Sequence, residues 1–252
     1  VFTAAVLAVS AVLALLFGSE PTSLATALAD PASLDHTLLF DVRLPRIAAE
    51  DALVDLSIGD MHPEVSTINA VFGFNEVVPR SLDLTRDVTP VTEWMNGISS
   101  YSMWWVLIHE DLWMHHGNRG YLEAQQTYIT ALLKRLAKLI GPDGKERIDG
   151  MRFLDWPSSP NQQGVTAGLQ GLLVMTLESG ARLMTALGDD GTAKLCADAA
   201  ARGRTVIPGV NKSKSGAALL SLAGMRDARQ TSDTVLKVGG PMDVSTFYGF
   251  YV

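Results

Sequence analysis

The densest chemistry in the chain begins at Gly59. The run Gly59-Asp60-Met61-His62-Pro63-Glu64 sets two carboxylates and an imidazole within a few positions. Paired carboxylates in unlike environments can divide acid and base work, one held protonated and the other ionised. The same residues also suit a helix start. Asp60 or His62 would cap it ahead of Pro63, and Glu64 would sit in the first turn, where the helix dipole favours an anion. A capped helix and a polar cluster aimed into a pocket mouth both remain open on spacing alone.

The second concentration is aromatic. All five tryptophans (Trp94, Trp104, Trp105, Trp113 and Trp156) lie between positions 94 and 156. Two of them adjoin an acid, in Glu93-Trp94 and Asp155-Trp156. An indole can cover the apolar face of a pyranose while a carboxylate accepts hydrogen bonds from its hydroxyls. Trp104, Trp105 and Trp113 fall within a helical pattern and are expected to fill the core. The remaining acids that could pair across a site are Asp51 and Asp87; Asp87 follows Arg86 and Asp155 follows Arg152 by three, and a surface ion pair of small value is the alternative reading of each.

Other chemistries find little support. The five histidines (His36, His62, His109, His115 and His116) have no second cysteine beside Cys196, so zinc is not expected, and no cofactor is implied. Cys196 lies in an Ala-rich helical stretch and reads as a buried, inert thiol. A net charge of −7 argues against a nucleic-acid partner, which would call for a basic face.

The elements that must position these groups are helical. Residues 119–140 place Leu122, Ile129, Leu132, Leu133, Leu136, Leu139 and Ile140 on one stripe, with Lys134, Arg135 and Lys138 opposite. That run stops at Gly141-Pro142-Asp143-Gly144, a strong turn signal. Further helices are expected over 63–72, with Pro63 in the first turn, and over 98–116, 164–187, 192–204, 214–224 and 244–252. The stretches 77–92 and 150–164 read as long loops, which inside a compact domain tend to carry function. The fold class is therefore all-α, built from helical hairpins.

Residues 1–18 carry no charge and set a hydrophobic segment, 1–30, apart from a helical domain, 31–252. A secretory leader, with the small-x-small triplet Ala27-Leu28-Ala29, and a buried helix are both open. The first would make the protein secreted or periplasmic, the second cytoplasmic. The run is at the short limit for a bilayer span, so membrane insertion is not expected.

Four motifs in order carry a resemblance: GDMHPEVSTINAVFG (59–73), WMNGISSYSMWW (94–105), RFLDWPSS (152–159) and STFYGFY (245–251). Together they resemble a branch of the α-L-rhamnosidase-like six-hairpin glycoside hydrolases, over residues 59–252. The resemblance implies an (α/α)6 barrel and removal of terminal α-L-rhamnose by inversion, in which a carboxylic acid protonates the leaving oxygen and a carboxylate activates water. Catalytic residues would come from Asp51, Asp60 and Glu64, with Asp51 matching the acid of the family's RDRLVW stretch across a two-residue insertion. Substrate contacts would come from His62, Asp87, Trp94, Asn96, Asp155 and Trp156.

The family's general base follows the last of these motifs, and a full barrel needs twelve helices. The resemblance thus implies an incomplete barrel without its base, whose remaining helices and β domains belong to a longer protein. Two further readings stay open: a carbohydrate-binding or scaffold protein without turnover, and another (α/α)-toroid hydrolase or lyase acting on glycans that contain uronic acid.

Overall fold

The computed structural model describes residues 26, 29, 30, 33 and 58–252. Every regular element among them is helical, and β pairing is limited to two isolated bridges, Ile98–Met151 and Ile140–Glu146. The helices are α1 (Ile58–Val71), α2 (Val77–Val88), α3 (Ser99–His116), α4 (Arg119–Ala137), α5 (Gln162–Leu187), α6 (Asp190–Arg204), α7 (Lys214–Leu222) and α8 (Ala228–Thr231). A π turn, Ser232–Leu236, continues α8, and 3-10 turns lie at Met95–Gly97 and Tyr248–Phe250.

Two rows are distinguishable by what each helix touches. The odd-numbered helices neighbour one another in chain order: α1 packs on α3, α3 on α5, and α5 on α7. Helices α4 and α6 form a second row, touching each other and α5. Burial follows this division. Helix α3 is covered on most sides, with a continuous buried run from Ser102 to His109, as a helix between two layers must be. Helix α4 is one-sided, burying Leu122, Ile129, Leu132, Leu133 and Leu136 and exposing Lys134 and Lys138.

Local signals end these helices where physics asks. Asn118, Asn161, Asp189, Ser213 and Asp227 each cap a helix by accepting a backbone N–H with the side chain. Gly117 and Gly188 close α3 and α5 in the left-handed conformation, at φ of 60° and 79°. The contact between α5 and α7 is a glycine seam. A Cβ on Gly171 would come within 2.9 Å of the Leu219 carbonyl, and one on Gly216 within 2.5 Å of the Gly164 carbonyl oxygen.

Three expectations are corrected. Residues 77–92 are not a loop: α2 buries Val78, Ser81, Leu82 and Thr85 at helical spacing, and Pro79 falls in its first turn, where no N–H is needed. Helix α1 starts at Ile58, five residues earlier than Pro63, which therefore lies inside the helix and removes one backbone bond. Residues 244–252 form turns with a single 3-10 element rather than a helix, because Phe247, Tyr248 and Tyr251 pack as an aromatic knot. The segment 1–18 and Asp51 lie outside the described residues. No helix among the described residues is long and apolar enough to cross a membrane.

Candidate active site

Helix α1 presents two working faces. Ile58, Met61 and Val65 point into the core, while Asp60, Pro63, Glu64, Thr67 and Ile68 follow one another along the other side. That second face forms one wall of an open cleft of about 660 Å³, and Thr246, Phe247 and Phe250 form the opposite wall. Asp60 and Glu64 stand one helical turn apart on the same wall, the spacing at which helix side chains are neighbours. The lining therefore combines two carboxylates with two aromatic rings.

The start of α1 is held from three sides. Asn96, in a left-handed conformation at φ 54°, accepts a hydrogen bond from the Ile58 N–H at 3.5 Å. Gly59 lies against the ring of Tyr101, where a Cβ would meet the ring at 2.3 Å. This close approach is why a glycine precedes Asp60. His62 then ties the helix to α3 and to the C-terminal turns, with Nε2 at 3.1 Å from an Asp111 carboxylate oxygen and Nδ1 at 2.8 Å from the Tyr251 hydroxyl. Its ring lies 5.0 Å from that of Trp104, and Tyr251 stacks on Trp104 at 5.1 Å and 17°.

An ionised carboxylate only accepts hydrogen bonds, so the His62 Nε2 carries the proton toward Asp111. In the neutral ring Nδ1 is then bare and accepts the Tyr251 O–H; in the imidazolium Nδ1 donates to the phenol oxygen instead. Burial first, then the charges of Asp111 and Asp60, push the Tyr251 phenol well above its ordinary range, so it keeps its proton.

Asp155 is fully engaged in building the site's frame. One carboxylate oxygen accepts from the Ser158 N–H at 3.1 Å; the other accepts from the Ser215 hydroxyl at 3.1 Å and the Ser245 N–H at 3.0 Å. It thereby pins the loop before α5, the first turn of α7 and the chain segment that goes on to form the cleft wall. Its neighbour Trp156 is 75% exposed and stands edge-on to Phe153, ring centroids 4.9 Å apart. A solvent-facing indole on a loop fixed this way is a ready stacking surface.

Trp94 has a different setting. It is 9% exposed, donates its indole N–H to Asp149 at 3.0 Å, and lies under the Arg135 guanidinium at 3.6 Å. Its environment is that of a packing residue. Asp87 pairs with Arg86 at 2.7 Å at the end of α2 and is not among the residues lining the cleft. The Arg152–Asp155 ion pair that spacing leaves open does not form; Arg152 instead makes a forked contact with the buried Glu146.

The structure thus gathers Asp60, His62, Glu64 and Asn96 around one helix start and ties Asp155 to the facing wall through Ser245, whereas Trp156 is not among the residues that line the cleft. The sequence does not single out Asp111 or Tyr251 as site residues. Asp111 carries no local signal on α3, whereas Tyr251 belongs to the aromatic STFYGFY motif. Among the described residues no group of three or more His, Cys, Asp or Glu is arranged to hold a metal ion. Compared with family models, curated proteins and solved structures, the chain finds no match.

Proposed function

We propose that the cleft beside α1 is the sugar site of a glycoside hydrolase resembling the inverting α-L-rhamnosidases. The observation that carries this reading is the pairing of Asp60 and Glu64 on one wall with Phe247 and Phe250 on the other. The carboxylates accept hydrogen bonds from sugar hydroxyls, and the rings take up apolar C–H faces. One of the two carboxyls, protonated, would deliver the proton to the glycosidic oxygen as the bond breaks.

The two rows of helices support an (α/α)6 toroid as the architecture. Helices α1, α3, α5 and α7 would form the inner row, with α4 and α6 outside it. In that arrangement the start of an inner helix faces the ligand, which is where Asp60 lies.

The test is titration of the chain with L-rhamnose while following tryptophan fluorescence, paired with release of nitrophenol from an aryl α-L-rhamnoside. Saturable binding is expected, weakened about tenfold or more by Asp60→Asn or Glu64→Gln, the scale of a lost charge-assisted hydrogen bond. Binding without release identifies the acid and sugar-holding side of the site acting without its base. Absence of binding overturns the reading.

A further inference from the structure

We propose that Thr67 and Thr246, one on each wall of the cleft, select its ligand by the sugar's hydroxyls. Thr67 accepts a hydrogen bond from one hydroxyl, and Thr246 bonds another from the facing side. The inference rests on the sugar reading of the cleft and adds two residues to it.

Thr67 lies on the cleft face of α1, three positions past Glu64, the spacing at which helix side chains are neighbours. It is exposed, and its hydroxyl donates to the Pro63 carbonyl at 2.9 Å. The direction of that bond is fixed, because a carbonyl has no proton to give. The hydroxyl's single proton is thereby committed, and what its oxygen still offers is acceptor capacity. A neutral sugar hydroxyl is the complementary donor.

Thr246 stands in the opposite wall and is also exposed. Its hydroxyl makes no hydrogen bond to any described residue, so it can both donate and accept. The backbone around it is nevertheless held. Asp155, 2% exposed, accepts the Ser245 N–H at 3.0 Å. The Ser245 carbonyl accepts the Gly249 N–H at 2.9 Å, and the Ser245 hydroxyl accepts the Tyr248 N–H at 3.2 Å. Thr246 thus sits on a closed turn anchored to a buried carboxylate, and such prior placement lowers the ordering cost of binding. Phe247, the next residue, is cleft wall as well. A pyranose stacked on an aromatic ring carries its hydroxyls at the rim, where a flanking threonine can meet them.

Titrations of the 252-residue chain with L-rhamnose test this. Thr67→Val and Thr246→Val each remove a hydroxyl while keeping the side-chain shape. Each is expected to weaken L-rhamnose about fivefold, the scale of one neutral hydrogen bond. Thr67→Ser, which restores the hydroxyl, should recover that loss. Against the monodeoxy sugar that lacks the partner hydroxyl, the loss from Thr67→Val should vanish. Fluorine at the same position cannot donate, so the deoxyfluoro sugar should bind the unaltered chain no better than the deoxy sugar; tighter binding overturns the acceptor role of Thr67. A valine variant with unchanged affinity for L-rhamnose overturns the role of that threonine. So does a loss that persists against every monodeoxy analogue, since its origin is then not a sugar hydroxyl. These results leave the sugar site standing. No affinity of the unaltered chain for L-rhamnose removes the sugar site itself, and this pair with it.

Discussion

The carboxylate of Asp155 accepts a hydrogen bond from the hydroxyl of Ser215 at 3.1 Å, joining the loop before α5 to the first turn of α7. The same carboxylate holds the N–H groups of Ser158 and Ser245. Asp155→Ala would leave these three donors without acceptors in buried surroundings, and is expected to destabilise the fold by about 3 kcal/mol. Urea unfolding would measure this. A loss below about 0.5 kcal/mol, the range of an ordinary surface change, would show that the tie is not structural.

His109 gives the protein a pH dependence. Its Nδ1 donates to the Trp105 carbonyl at 2.8 Å, deep between α2, α3 and α4. Burial lowers its pKa from 6.5 to about 4, opposed by that hydrogen bond and assisted by the positive charge of Arg86. The unfolded chain therefore binds the proton first as pH falls. Stability is intact above about pH 6.5 and declines toward pH 4, by about 3 kcal/mol from this group alone. His109→Gln should flatten that part of the curve, read from urea midpoints at pH 7.5 and 4.5. An unchanged slope would refute the assignment.

Gln170 is buried inside α5 with all its polar atoms engaged. Its carbonyl accepts from the Glu146 N–H at 2.7 Å, and its amide donates to the carbonyls of Gly144 at 2.9 Å and Gly203 at 2.8 Å. Gln170→Glu, nearly the same shape, would set a carboxylate oxygen against two carbonyl oxygens. The expected loss is at least about 3 kcal/mol, larger at pH 8 than at pH 5, where the new carboxyl can carry a proton. Thermal melts at the two pH values decide it.

Cys196 is buried in α6, and burial pushes its thiol up to about 12. Since the thiolate is the reactive form, the folded protein should react with an aromatic disulfide reagent at least about a hundredfold more slowly at pH 8 than in denaturant. Rapid reaction of the folded chain would contradict this placement.

Much of this fold is legible in the sequence where hydrophobic spacing is long and capped. Helix α4 follows from its leucine stripe and the Gly141–Gly144 turn, and α5 from its length and the αL glycine at 188. Helix α2 is not, since its buried stripe includes Ser81 and Thr85, whose hydroxyls return to the backbone of Val77 and Ser81. Polar residues that satisfy themselves look like loop until their surroundings are known. The site divides in the same way. Asp60 and Glu64 share a face by spacing alone, whereas Asp111 reaches His62 only because α3 crosses α1. Trp94 and Trp156 look alike beside their acids, and only packing distinguishes the one under Arg135 from the one facing solvent.

The seam where α5 meets α7 leaves a mark on how this protein can change over generations. At Gly171 and Gly216 the opposing surface is main chain, which no neighbouring substitution can trim away. Alanine, the smallest possible step, already collides there. At Gly168 the first obstacle is the Leu154 side chain, so a compensating partner exists. Drift along α5 should therefore be uneven: closed at the positions that touch backbone, and open in pairs where a side chain can shrink in exchange.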